Sequence, residues 1–181
     1  MALLTLVNRV IEISRLQTGA IEVQPYTVDV AGLLHEAAEQ IAAAAQLSGN
    51  QVRLEAFPRD DTIEIDGALL LECLFCLSEN AAKFCKNGVI GFSARRLGDE
   101  LEFTVSDTGP GLSEETLARI GAPLTQADGA AARQHEGLGL GLTLSRALAR
   151  ALGGSLEIES TLGHGTHVRV RVPARPQAPP Q

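Results

Sequence analysis

Three short segments carry residue types whose spacing could do chemistry. In Ser78-Glu79-Asn80-Ala81-Ala82-Lys83, an amide and an ammonium stand three residues apart, which on a helix puts them on one face about a turn from each other. Set in an apolar stretch, Asn80 offers a hard oxygen for Mg²⁺ and Lys83 a cation for phosphate. Taken alone, the pair also reads as the solvated end of a core helix. Asp107 closes the run ELEFTVSD and is followed by Thr108-Gly109-Pro110-Gly111. A carboxylate there can accept from an exocyclic amine while the glycines let a flat ring lie against backbone. D-x-G-x-G is equally a plain strand-to-turn signal. The third segment, Gly137-Leu138-Gly139-Leu140-Gly141-Leu142, opens a helical pattern. Glycine-rich backbone entering a helix N-terminus gathers free N–H groups and the positive end of the dipole around an anion. No G-K-[ST] follows, so it is not a Walker loop, and its G-x-G-x-G spacing is not a dinucleotide fingerprint.

The elements that must position these groups can be read from periodicity. Residues 2–17 repeat apolar groups at helical spacing, but the stripe is too wide for one amphipathic face and calls for partners on more than one side. A strand-like segment, IEVQPYTV, precedes Asp29, which can cap a second helix ended by Gly49 and Asn50. QVRLEAF and TIEID read as strands, and a long helix spans about Ala68 to Phe84. VIGFSARRL and ELEFTVSD flank a Gly98-Asp99 hairpin turn. From Thr108 to Glu136 only one short helix is predicted, about Glu114 to Ile120, and a connection that long in a compact domain reads as a lid or binding loop. A helix from about Leu140 to Leu152 and the strands SLEIES and HVRVRVP complete the pattern. Helices and strands do not alternate regularly, which excludes a doubly wound sheet. The pattern predicts an α+β fold, a two-layer sandwich whose mixed, mostly antiparallel sheet is covered on one face by helices, with an extra N-terminal helix.

Composition narrows the class. The 181 residues carry net charge −7, 45% apolar and 3% aromatic residues and no Trp, a balance that belongs to a folded chain and argues against nucleic acid as a partner. No apolar run reaches the length of a membrane span, and the N-terminus lacks the pattern of a signal peptide, so the segment is expected in the cytoplasm without membrane contact. Cys73, Cys76 and Cys85 fall in one apolar stretch with no His nearby and read as buried free thiols. Eleven of the 18 glycines lie between Gly109 and Gly165, which points to a ligand held largely by main chain.

All three segments occur in this order, with Gly163-His164-Gly165-Thr166 before the last strand. The combination closely resembles the catalytic, ATP-binding domain of sensor histidine kinases, in the superfamily with the Bergerat fold that includes gyrase B and MutL. SENAAKF resembles the N box, SDTGPGL the first glycine box, EGLGLGL the second and GHGT the final turn, over about Asp29 to Pro173. Residues 2–18 resemble the second helix of the dimerisation and phosphotransfer hairpin, 21–173 the catalytic domain, and 174–181 a disordered Pro-rich tail. The first hairpin helix with its phospho-accepting His is absent from the chain, which looks like a C-terminal fragment of a larger kinase. His35 matches the domain's own first helix and not that acceptor.

The resemblance implies a protein-histidine kinase module, inactive alone, that binds Mg²⁺ and ATP for γ-phosphoryl transfer. It makes Asn80 the metal ligand and, with Lys83, the catalytic pair at the phosphates. Asp107 would accept from the adenine amine, supported by Thr166 through water, while Gly109 and Gly111 admit the base. Gly137, Gly139 and Gly141 would hinge the lid and wrap the phosphates, and Arg133 would add charge there. The implied partners are the kinase's own hairpin, a response regulator or phosphotransfer protein, and a second copy in a homodimer. Three departures stand out. Cys76 replaces the first Asn of the N box, Leu124 replaces the usual lid Phe, and the Glu that serves ATP-hydrolysing relatives as a base is missing, its place again held by Cys76. Glu79, next to Asn80, points about 100° away around the helix. Efficient hydrolysis is therefore not expected. A nucleotide-binding pseudokinase or scaffold stands as the alternative.

Overall fold

A computed structural model describes residues 2–58, 61–121 and 139–174. The chain runs α1 (Ala2–Gln17), β1 (Tyr26–Asp29), α2 (Val30–Leu47), β2 (Gln51–Leu54), β3 (Thr62–Ile65), α3 (Gly67–Phe84), β4 (Val89–Leu97), β5 (Glu100–Asp107), α4 (Glu114–Gly121), α5 (Gly139–Ala151), β6 (Ser155–Thr161) and β7 (Gly165–Pro173). The main sheet has the order β2-β4-β5-β7-β6. β2 runs parallel to β4, and every other neighbouring pair is antiparallel. The fold is the α+β arrangement that the sequence pattern predicts. One feature differs: β1 and β3 form a separate antiparallel ribbon, because the IEVQPYTV segment is extended only over its last residues and pairs Val28 with Ile63.

Alternation along the strands sets the two layers. Ile90, Phe92 and Ala94 on β4, Leu101, Phe103 and Val105 on β5 and Val170 and Val172 on β7 are buried beneath α2, α3 and α5. The opposite face is polar. There Glu102, with only 1% of its side chain exposed, accepts from Arg95 and Arg171 at 2.7 Å each. Burial pushes its carboxyl up, but the two guanidinium partners outweigh this and hold it below the ordinary range.

The helices start where the sequence supplies caps. Asp29 accepts from the N–H groups of Ala31 and Gly32 at the head of α2, and Asp66 accepts from Leu69 N–H at the head of α3. Buried Asn50 holds the far end of α3 by donating to Cys85 O and accepting from Gly88 N–H, each at 2.9 Å. Along α1, Ile13 is buried and Leu16 packs on the core, while Val7, Val10 and Ile11 are exposed. The wide stripe is thus partly used by the domain and partly open. Ala174 is buried, and its N–H donates to Asp99 O at 2.7 Å. Residues 175–181, the rest of the predicted tail, lie outside the described residues.

Candidate functional site

A cleft partly open to solvent lies between the C-terminal half of α3 and the ends of β5, β6 and β7. Leu77, Ala81 and Phe84 form its wall on α3, and Ile158 and Val168 form the sheet wall. Two predicted residues enter it from opposite walls, Asn80 from α3 and Asp107 from the end of β5, joined by Gly111 and Thr166. Asp107 and Thr166 are register partners across the β5–β7 pair, so the last ladder position of β5 brings them side by side.

Asp107 is half-buried, and its Oδ1 accepts from Gly109 N–H at 2.8 Å. Burial pushes the carboxyl up from its ordinary value, opposed by the Gly109 N–H and by His167. The loop after Asp107 needs its glycines for space. A Cβ on Gly109 would stand 2.7 Å from Asp107 Oδ1, and one on Gly111, at φ +66°, would stand 2.1 Å from Thr161 O. The loop is tied to the β6–β7 turn by Gly163 N–H donating to Pro110 O at 2.7 Å.

Asn80 sits against the first turn of α5. A Cβ on Gly141 would come within 3.1 Å of its Nδ2 and 3.2 Å of its Oδ1. Among the described residues nothing hydrogen-bonds the Asn80 amide, which leaves its oxygen available to a hard cation. The described residues hold no group of three or more His, Cys, Asp or Glu arranged for a metal. Lys83 is exposed and not part of the cleft lining; its Nζ lies 5.7 Å from the centroid of the Phe84 ring. The structure thus brings Asn80, Asp107, Gly111 and Thr166 together, with Gly109 and Gly141 behind them, and leaves Lys83 at the rim. Gly139 is the first residue of α5. Arg133 and Gly137, like Leu124 and His135, lie outside the described residues.

On another side of α3, long side chains reach it from α1, a helix that packs chiefly on α5. Arg9 donates to Glu79, which therefore turns away from the cleft. Cys76 is 2% exposed among these helices, and burial pushes its thiol up to about 12. It is an uncharged packing group and not part of the cleft lining. Cys73 and Cys85 are also buried and free, as the sequence predicts. A second groove of about 370 Å³ runs between β1 and the starts of α2 and α3, lined by Tyr26, Asp29, Glu36 and Leu71 among others. None of the predicted site residues reaches it.

The apolar walls were not singled out in the sequence. Phe84 could have been found from its i+4 spacing to Asn80, and Ile158 and Val168 from strand alternation. Ser160, bonded to Leu112 and Thr166 of the cleft, carries no sequence signal of its own.

The cleft geometry agrees with the comparison to known proteins. The family model for histidine kinase-, DNA gyrase B- and HSP90-like ATPases matches residues 65–176. The chain belongs to this family. The histidine protein kinase DivJ of Caulobacter vibrioides is 37% identical over 172 residues, covering 94% of this chain and 29% of DivJ. The circadian input-output histidine kinase CikA of Synechococcus elongatus is 33% identical over 176 residues, covering 94% of this chain and 23% of CikA. The chain therefore spans less than a third of either kinase. Full-length ShkA in complex with AMPPNP superposes with a TM-score of 0.80 at 33% identity, covering 99% of this chain and 37% of that one. The nucleotide-free catalytic domain of the histidine kinase ThkA shares the fold, with a TM-score of 0.70 over 85% of this chain at 20% identity. The domain is the ATP-binding catalytic domain of a histidine kinase, and the matched segment runs from the end of β3 through all three motifs.

Proposed function

We propose that this domain binds ATP with Mg²⁺ in the cleft between α3 and the ends of β5, β6 and β7, and presents the γ-phosphate to a His outside this chain. The observation that carries the reading is the convergence of Asp107 and Thr166 at one end of an apolar cleft with the open Asn80 amide facing the start of α5. Asp107 accepts from the adenine amine, Phe84, Ile158 and Val168 enclose the ring, and Gly109 and Gly111 keep side chains out of its way. Asn80 would hold Mg²⁺, which when bound offsets phosphate charge. Lys83 at the rim, Arg133 and the backbone of Gly137, Gly139 and Gly141 supply the remaining phosphate contacts. An acidic chain of net charge −7 must collect its positive field locally in this way.

The exposed Val7, Val10 and Ile11 of α1 support its assignment to residues 2–18 of a dimerisation hairpin, completed by a first helix and a second copy. Response regulators or phosphotransfer proteins then receive the phosphoryl group. Among the described residues no helix is long and apolar enough to cross a membrane, and the reading places this segment in the cytoplasm. Buried, uncharged Cys76 favours a second reading, a pseudokinase that binds nucleotide without transfer, since it adds no polar group beside Asn80.

Titration with a fluorescent ATP analogue and Mg²⁺ is expected to saturate, and Asp107→Asn to weaken binding by about 10- to 150-fold. A native chain that ignores the analogue overturns both readings. Adding a matching hairpin that carries its His, then following labelled γ-phosphate, separates them: label on the hairpin supports the kinase, and nucleotide binding without label supports the pseudokinase.

A further inference from the structure

Ser160, near the end of β6, makes three hydrogen bonds whose directions can be settled by elimination. Its Oγ lies 2.9 Å from Leu112 N, 2.8 Å from Gly165 O and 2.9 Å from Thr166 Oγ1. A serine hydroxyl has one proton and two lone pairs. The Gly165 carbonyl can only accept, so it takes the proton. The Leu112 amide can only donate, so it occupies one lone pair. The single place left is the second lone pair, and Thr166 must donate to it. Thr166 also has one proton, so its hydroxyl can offer the cleft nothing but lone pairs.

Beside it stands Asp107, the register partner of Thr166, with Oδ1 bonded to Gly109 N–H and Oδ2 left for the cleft. An ionised carboxylate is an acceptor only. The side chains of Asp107 and Thr166 therefore both face the cleft as acceptors, one by its chemistry and the other by its bond to Ser160.

We propose that Ser160 is a specificity-determining positioning residue: by holding the Thr166 proton it fixes a pair of side-chain acceptors that takes a purine with a 6-amino group and rejects one with a 6-carbonyl. This rests on the reading of the cleft as an ATP site. The two N–H bonds of a 6-amino group match the two acceptors directly. A 6-carbonyl would meet lone pairs on both sides. Without Ser160 the Thr166 hydroxyl is free to rotate and donate, and the rejection weakens.

The test is calorimetric titration of the full chain with Mg-ATP and with Mg-ITP, which differ at the 6-position and the adjoining ring nitrogen. The native chain is expected to prefer ATP by at least about tenfold, and Ser160→Ala to reduce that preference about 3- to 10-fold. Ser160→Thr, which keeps the hydroxyl, is expected to restore it. Ser160→Ala also strands Leu112 N–H, and a merely structural role would weaken both nucleotides alike; an unchanged ratio therefore overturns the proposal. Should Ser160→Ala fail to give a cooperative thermal transition, Thr166→Val decides, because it removes the lone pairs and must lower the preference; an unchanged ratio there also overturns it. A native chain that binds ATP and ITP equally defeats this proposal and leaves the ATP reading standing. A chain that binds neither removes both.

Discussion

The two faces of α3 treat their polar groups in opposite ways. Toward the cleft, the Asn80 side-chain amide makes no hydrogen bond with the described residues, and Asp107 opposite it keeps an oxygen open. Toward α1, Glu79 is paired with Arg9, and Glu72 shares a hydrogen bond with Glu12. Helix geometry is common to both faces and carboxylates or amides occur on both. What differs is the neighbour: glycines keep side chains away from one face, and charged side chains of α1 reach the other. An unpaired polar group that leaves water costs about 1–3 kcal/mol; Asn80 and Asp107 are only half-buried and can still meet water, which a ligand would replace on the proposed reading. The open face is the one read as function. The other face links α3 to the N-terminal helix, which is itself seated chiefly on α5.

The largest expected effect falls on the cleft side. Gly111→Ala places a Cβ 2.1 Å from Thr161 O at φ +66°, so backbone strain and overlap act together and the loss of stability should be about 3 kcal/mol. Gly163→Ala separates the two causes, because its φ is +81° but nothing lies within 4 Å of the added carbon; about 1 kcal/mol is expected from strain alone. Urea denaturation of both variants measures the difference. Equal losses would mean that close packing of the glycine loop on β6 contributes nothing. On the α1 side, Arg9→Met keeps the aliphatic packing and removes the cation. With the two side chains 24% and 42% exposed, the pair is worth at most about 1 kcal/mol. Nucleotide affinity should stay within about twofold of the native value, since Glu79 turns away from the cleft. A tenfold drop would break the separation of the faces and couple α1 to Asn80.

The same division decides what could be read in advance. The strands and helices followed from apolar periodicity and caps such as Asp29 and Asp66, because those signals are local. The cleft was legible for a related reason: Asn80, Asp107 and the glycines are residue types that a packed core or a plain surface rarely combines, and three segments in a fixed order carried the family resemblance. The β1–β3 ribbon was not legible, since two four-residue strands do not announce whether they join a larger sheet or each other. The Arg9–Glu79 pair joins residues 70 apart, and charged side chains on a helix surface look alike in sequence whether solvated or paired. The three bonds of Ser160 depend on where β6 ends relative to the glycine loop, which only the assembled sheet defines.

The smallest expected effect lies in the Glu12–Glu72 contact and is a dependence on pH. Burial between α1 and α3 pushes the Glu72 carboxyl up to about 7; the charge and hydrogen bond of Glu12 add to the shift, and Arg9 opposes it. The folded chain thus binds a proton at Glu72 that the unfolded chain has released, over the interval from the ordinary value of 4.5 to about 7. Stability falls with rising pH wherever the folded state holds more protons. The contribution is therefore complete below about pH 4.5 and lost as pH rises through about 7. Because about half of the group remains in solvent, the amplitude should be no more than about 1 kcal/mol. Glu72→Gln keeps the shape and the hydrogen bond to Glu12 without the titration, so its unfolding free energy should run flatter across this interval and exceed the native value at pH 8. Denaturation at pH 5, 6, 7 and 8 measures the slope. An unchanged slope would place Glu72 in water and α1 away from α3, and the face toward α1 would then be open as well.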